Sequence, residues 1–231
     1  MSNWILIPAA LLPAVILLIQ VYRMDRVEKE PRTLLLHLVL AGVAAGAVAG
    51  VLESLLLHLL GLLFPRRTVL CLLLENFVAV ALVEESCKRL PVMLLAWKHP
   101  AFDYRFDAVV YCVFSALGFA ALENVGYVLQ FRLSAAVSRA FFSVPGHFFF
   151  AVYMGLYLGE AKLAEKREDE ARRGLMLDVS LLLPVLLHGF WDFALSVNDL
   201  HMNIIYYIFV GYFFISAFVQ LRQASENDSP L

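Results

Sequence analysis

Charged residues are scarce in this sequence, and no long polar segment interrupts its apolar runs. Charged residues make up 16% of the 231 positions, against about 25% in typical soluble domains. Hydrophobic residues reach 61%, and the mean hydropathy is +0.77, so water is not the main solvent of this chain. The longest polar stretch, residues 162–174, is too short to form a soluble domain. We therefore expect one integral membrane domain over residues 1–231.

Cysteine is also rare, and the basic residues form no continuous face. The three cysteines, Cys71, Cys87 and Cys112, all lie in apolar stretches, where an odd number does not suit a disulfide framework. Short basic clusters and a net charge of -2 argue against a nucleic-acid partner. The N-terminus lacks the basic start and the cleavage site of a signal peptide. Its first apolar run is therefore expected to remain as a membrane anchor.

Seven apolar stretches are long enough to cross a bilayer, which requires about 20 mainly apolar residues. They lie at residues 4–22, 33–64, 69–97, 106–131, 140–159, 175–197 and 202–221. The predicted fold class is all-α, a polytopic transmembrane helical bundle of about seven spans in contact with the lipid bilayer.

Basic residues predict the orientation, because short cytoplasmic loops are enriched in lysine and arginine. If the seven spans hold, most basic residues fall on one side, namely Arg23, Arg26, Lys29, Arg32, Lys98, Arg105, Lys162, Lys166, Arg167, Arg172, Arg173 and Arg222. Arg66, Arg67, Arg132 and Arg139 fall on the other side. The asymmetry predicts an external N-terminus and a cytoplasmic C-terminus.

Ionisable residues inside the predicted spans require a partner or a purpose, because each costs at least about 2.5–3.5 kcal/mol near the bilayer centre. The third span contains Glu84 and Glu85, followed by Lys88 and Arg89. Residues four apart are neighbours on a helix, so Glu84 is expected to face Lys88 and Glu85 to face Arg89. A neutralised pair of ion bridges that only fixes helix packing is the structural alternative.

The next three spans each add a candidate residue. The fourth contains Glu123 and the fifth contains His147, while the sixth contains His188 with Asp192 four residues later on the same face. At a rise of about 1.5 Å per residue, Glu84, Glu123, His147 and His188 all lie roughly 20–25 Å from the cytoplasmic ends of their helices. The common depth predicts that they meet in one polar cavity. Glu53 and Glu75, by contrast, are interpreted as packing or boundary residues.

Glutamate and histidine in a dry cavity suit peptide hydrolysis. Carboxylate and imidazole are good zinc ligands, and a catalytic zinc keeps three protein ligands and one water. A further carboxylate can act as the general base, or glutamate and histidine can activate water without a metal. The residues alone do not identify the base. No zinc-protease His-Glu-x-x-His motif, serine elbow, paired-aspartate arrangement or phosphate-binding loop is present.

These residues resemble the motifs of the PrsW intramembrane proteases, which are distant relatives of the CAAX prenyl endopeptidases. The family pattern is Glu-Glu-x-x-Lys, Phe-x-x-x-Glu, a later His and a final His-x-x-x-Asp. The matching segments here are Glu84-Glu85-Ser86-Cys87-Lys88, Phe119-Ala120-Ala121-Leu122-Glu123, His147 and His188-Gly189-Phe190-Trp191-Asp192. Each motif is short, but all four occur in order, and the resemblance extends roughly from Tyr22 to Asp192.

The resemblance implies a site-1-type protease of the bacterial plasma membrane that cuts a single-span membrane protein, typically an anti-sigma factor. It also implies an active site formed by Glu84, Glu85, Glu123, His147 and His188, with Asp192 orienting His188. Zinc is the candidate cofactor, and Glu123, His147 and His188 are its candidate ligands.

Two other functions remain open from the residues. Acidic and histidine residues inside spans also serve proton relays, so a proton-coupled transporter is the main alternative. Such carriers often contain inverted repeats, and no convincing internal repeat is present here. A non-catalytic membrane assembly subunit is the second alternative. The oligomeric state is left open.

Overall fold

The computed structural model describes residues 3–65, 68–197 and 199–231, and these residues form a helical bundle without a named strand. Its seven helical rods are α1 (Asn3–Met24), α2 (Arg32–Leu63), α3 (residues 69–96), α4 (Asp107–Phe141), α5 (Ser143–Lys166), α6 (Glu170–Val197) and α7 (Leu200–Glu226). The predicted all-α class is confirmed.

Six of these rods are long and apolar enough to cross a membrane, all except α3. The α3 rod is continuous but changes its winding, with α-helical Val69–Leu73 and Val83–Pro91 alternating with π-helical Leu74–Leu82 and Val92–Ala96. Wider π turns are rare and frequently occur at functional sites. The transition from π to α winding falls directly before the two glutamates of the third span. With α3 included, the structure agrees with the prediction of about seven spans.

The loops at one end of the bundle contact one another. Tyr111 near the start of α4 donates a hydrogen bond to Glu30 of the first loop, and the backbone N–H of Phe106 donates to Asp228 of the C-terminal tail. Lys162 near the end of α5 donates to the carbonyl oxygen of Trp97 at 2.9 Å. Residues 25–31, 97–106, 167–169 and 227–231 therefore share one end, which we call the basic end.

Burial at the basic end changes the titration of its loop carboxylates. Removal from water raises the pKa of Glu30 to about 7 and that of Asp25 to about 6. The Tyr111 hydroxyl and the Lys29 ammonium oppose this rise at Glu30 and Asp25 respectively. The first loop is thus held against the bundle by buried polar contacts.

Two glycines bring α2 and α4 into backbone contact. A Cβ atom added at Gly42 would collide with the backbone of Ser115, and one added at Gly118 would collide with the backbone of Val39. Small residues permit this close approach between membrane helices. Farther from the basic end the two helices diverge. A Cβ added at Gly46 would lie 3.4 Å from the Leu122 side chain, and one added at Gly50 would meet nothing within 4 Å. The result is a wedge of space between α2 and α4.

The α4 rod bends back on itself near its C-terminal end. Arg139 Nη2 lies 3.0 Å from Glu123 Oε2, although 16 residues of straight helix would separate them by about 24 Å. The sequence predicted a connection at residues 132–139, and the backbone there is helical rather than extended. The chain nevertheless reverses direction at the predicted place, and this reversal brings Arg139 next to the carboxylate of Glu123.

Arg167→Cys should test the orientation, because residue 167 is exposed at the basic end. We expect a membrane-impermeant maleimide to label it only after the cells are permeabilised. Thr68→Cys, exposed at the opposite end, is the matched control and should be labelled in intact cells. The unmodified chain, whose three cysteines lie within the spans, gives the background. Ready labelling of Arg167→Cys in intact cells would reverse the predicted topology.

Candidate active site

Four helices bring the predicted site residues together. Glu123 Oε2 of α4 lies 2.9 Å from His147 Nε2 of α5. Glu84 Oε2 of α3 lies 3.9 Å from His147 Nδ1 and 3.9 Å from His188 Nε2 of α6. His188 Nε2 also lies 3.2 Å from Asp192 Oδ2. The common depth inferred from the sequence therefore corresponds to actual proximity.

Lys88 is the central cation of this cluster. Its buried ammonium donates to Glu84 Oε2 at 2.8 Å and to Glu85 Oε1 at 2.7 Å, and it lies 2.9 Å from His147 Nδ1. The predicted pairing of Glu84 with Lys88 is confirmed, but that of Glu85 with Arg89 is wrong. Arg89 Nε is buried and has no hydrogen-bond partner among the described residues. Lys88 neutralises both glutamates, because positions i+3 and i+4 are both neighbours on a helix.

The contacts of His147 fix its tautomer if the imidazole is neutral. Lys88 can only donate, so Nδ1 of His147 accepts from its ammonium. The other nitrogen, Nε2, then carries the proton and faces Glu123 Oε2 at 2.9 Å. His147 thus links the cation of α3 to the carboxylate of α4.

His188 lies between two carboxylates and against an aromatic ring. Its Nδ1 is 2.8 Å from Glu85 Oε1, while Asp192 faces Nε2. Its ring stacks on Phe150 at a centroid distance of 5.0 Å and an angle of 14°. With both nitrogens and one face occupied, the ring is held in a single orientation. Sequence reasoning missed Phe150, since one phenylalanine among many in α5 gives no distinguishing signal.

Arg139 is a further member of the cluster that sequence reasoning missed. It pairs with Glu123, and its Nε donates to Asn124 Oδ1 at 2.9 Å. Arg139 lies on the same helix as Glu123, 16 residues later, and is its basic partner. The signal was absent because the bend of α4 cannot be recognised from hydropathy.

The cluster forms part of the wall of an open cavity of about 630 Å³ in the half of the bundle away from the basic end. Five of the predicted residues line it, namely Glu84, Glu123, His147, His188 and Asp192. Glu85 is fully buried behind the wall and does not line it. It contacts Lys88 and His188 from there.

The two acids interpreted as packing or boundary residues have different environments. Glu75 does not line the cavity, and its Oε1 accepts from Cys71 Sγ at 3.3 Å. Glu53 lines the cavity together with the candidate site residues. The sequence-based interpretation of Glu53 is therefore wrong.

Two groups of side chains could hold a metal ion, since their ligand atoms all lie within 4.8 Å of one another. One consists of Glu84, Glu123 and His147, and the other of Glu84, Glu85 and His188. The first group lines the cavity, as a catalytic metal with an open coordination position requires. Carboxylate and imidazole donors fit a zinc ion. The predicted ligands Glu123, His147 and His188 are divided between the two groups, with Glu84 common to both.

The comparison with protein families assigns the sequence of this chain to a known class. The model of the PrsW family of intramembrane metalloproteases matches residues 30–219. The chain belongs to this family. Its membership makes the protein a multi-pass bacterial membrane protein and an intramembrane endopeptidase, and it decides against the transporter and assembly-subunit alternatives.

Similar PrsW proteins cover most of the chain. The relative from Geobacillus kaustophilus, named Protease PrsW, is 36% identical over 194 residues, which cover 84% of this chain and 81% of the relative. The Bacillus subtilis protein of the same name is 32% identical over 213 residues, covering 88% and 87% respectively. No solved structure matches the chain significantly.

Replacement of Lys88 should destabilise the protein more than replacement of Arg89. Lys88→Met would leave two buried carboxylates without a cation, and removal of one partner from a buried pair typically costs about 3–5 kcal/mol. Arg89→Met removes a cation without an ion-pair partner among the described residues, so we expect a smaller loss. Thermal unfolding of both variants in detergent measures the difference. A larger loss for Arg89→Met would contradict the pairing seen here.

Proposed function

We propose that this PrsW protease hydrolyses a peptide bond of a single-span regulatory protein, such as an anti-sigma factor, within the cavity away from the basic end. The observation that carries the proposal is the convergence of Glu84, Glu123, His147 and His188 on the wall of one cavity. The predicted orientation would make this cavity accessible from outside the cytoplasm. A membrane-anchored substrate could then present the segment next to its span.

Glu84 is the proposed proton acceptor. Its Oε2 accepts from Lys88, and its Oε1 is in no hydrogen bond among the described residues. A water molecule beside Oε1 can give this carboxylate its proton while the water oxygen attacks the substrate carbonyl carbon. The same proton can then pass to the amide nitrogen as the carbon–nitrogen bond breaks. This transfer restores the carboxylate and releases an amine and a carboxylic acid.

Because both of its ring nitrogens are already paired, His188 is proposed to stabilise the developing oxyanion through the field of its oriented N–H dipoles. Glu85 and Asp192 hold the two ring nitrogens, and Phe150 fixes the ring plane. Dipoles whose orientation is already fixed stabilise transition-state charge without the cost of reorganisation. Asp192 is therefore a positioning residue in this proposal, as is the buried Glu85.

A zinc ion is the proposed cofactor, and Glu123 and His147 are two of its proposed ligands. Both belong to the ligand set predicted from the sequence and to the group formed by Glu84, Glu123 and His147. The third ligand is Glu84 in the first of the two groups of side chains, and His188 in the set predicted from the sequence. When bound, the ion would polarise the substrate carbonyl and lower the pKa of the attacking water.

Glu84→Gln, Glu123→Gln and His188→Ala should each reduce cleavage by at least about 10²-fold, the lower range for removal of a general acid or base. Protein levels should remain close to those of the parent, because Lys88 still has a carboxylate partner in each variant. The measurement is cleavage of a single-span membrane protein by purified chain in detergent. Glu75→Gln, an acid within a span but outside the cavity, is the matched control and should retain activity.

Full activity in His188→Ala or in the double variant Glu84→Ala, Glu85→Ala would contradict the proposed mechanism. Partial activity in Asp192→Asn is consistent with it. Loss of a group that orients a ligand or a donor typically reduces activity by about 10- to 100-fold.

Metal content should distinguish the two possible third ligands. We expect about one divalent ion per purified chain by mass spectrometry, lost on chelation together with activity. Glu84→Gln should lose this ion and His188→Gln should retain it if the cavity-lining group is the site. The reverse result would support the ligands predicted from the sequence. Full activity in metal-free protein would exclude the ion and leave proton transfer to Glu84 as the mechanism.

A further inference from the structure

We infer that Glu53 is a specificity-determining residue that binds a lysine or arginine side chain of the substrate close to the cleaved bond. The inference rests on the proposed function and adds a substrate class to it. It concerns a residue outside the four family motifs, located on α2 beside the wedge between α2 and α4.

Glu53 is the one cavity-lining acid without a partner among the described residues. Glu84 is paired with Lys88 at 2.8 Å, Glu123 with Arg139 at 3.0 Å and Asp192 with His188 at 3.2 Å. Glu53 has no ion pair or hydrogen bond of this kind in the described part of the chain. An unpaired carboxylate in a membrane span is costly, so its retention requires a partner from outside the bundle or a purpose.

The charge of the cavity wall determines which partner fits. The cavity is lined by the carboxylates of Glu53, Glu84, Glu123 and Asp192, with Arg139, Tyr127 and two histidines as the other ionisable groups. Arg139 is already bound to Glu123. Glu53 interacts electrostatically with Glu84 and Glu123, two charges of its own sign, and less strongly with Lys88 and His188, which are already paired with other carboxylates. A cationic side chain relieves this repulsion, whereas an acidic one would increase it.

The space beside Glu53 is sufficient for a substrate side chain. Gly50 lies one helical turn before Glu53 and also lines the cavity, and a Cβ added there would meet nothing within 4 Å. At Gly46, one turn closer to the basic end, Leu122 of α4 already fills the gap. The open part of the wedge therefore begins beside Glu53. A long lysine or arginine side chain can cross it with its apolar stem on the helices and its charge at the carboxylate.

The test is the cleavage pattern of a pool of synthetic single-span peptides with randomised residues flanking the apolar segment. The purified full-length chain is incubated with the pool in detergent, and mass spectrometry maps the cut sites. We expect lysine and arginine to be enriched by about 10-fold at a fixed position near the cut, the scale of one interfacial charge pair. Glu53→Gln should cleave the pool without this enrichment, and Glu53→Lys should select aspartate or glutamate at the same position.

Two controls separate the possible failures. Glu75→Gln should retain the parent pattern, because Glu75 lies outside the cavity. Glu53→Gln should be at least as thermally stable as the parent, because it removes an unpaired charge from a span. Cleavage without basic enrichment, or enrichment unchanged in Glu53→Gln, would overturn the role of Glu53 and leave the protease intact. A cut pattern of the parent identical to that of Glu84→Gln would instead overturn the proposed function and this inference with it.

Discussion

The arrangement of the site depends on the ammonium group of Lys88. One cation inside a membrane span binds two carboxylates of its own helix and a histidine of α5. Without it, two adjacent glutamates would have to be neutralised or excluded from the bundle, because isolated charges are costly in this medium. The carbonyl oxygen of Lys88 also accepts from Ser115 of α4 at 2.6 Å. The same residue thus neutralises the acids and fixes the position of α3 against two neighbouring helices.

Much of this architecture follows from the sequence, because a bilayer permits few solutions. Long apolar runs must form helices there, since every backbone polar group needs an internal partner. The cost of buried charge also makes each intramembrane glutamate or histidine conspicuous. Glu84, Glu123, His147 and His188 could therefore be selected as candidates, and their common depth could be derived from helix rise alone.

The failures of the prediction have equally specific causes. Glu85 has a cation both three and four residues ahead, and helix geometry does not decide between Lys88 and Arg89. Arg139 was assigned to a loop, since nothing in the local composition reveals that α4 folds back to Glu123. The environment of Glu53 was misjudged because hydropathy indicates only where a residue lies along a span. Whether that residue faces a cavity depends on how the helices pack, which the sequence does not show.

The glycine contact between α2 and α4 has a mechanical consequence. The two helices touch at Gly42 and Gly118 and separate farther along, so this contact acts as a fulcrum. Glu53 lies eleven residues beyond Gly42, a lever arm of about 16 Å along α2. A rotation of only about 5° at the fulcrum would move Glu53 by about 1.4 Å relative to α4. A close backbone contact at one end of the two helices thereby controls the width of the gap beside Glu53.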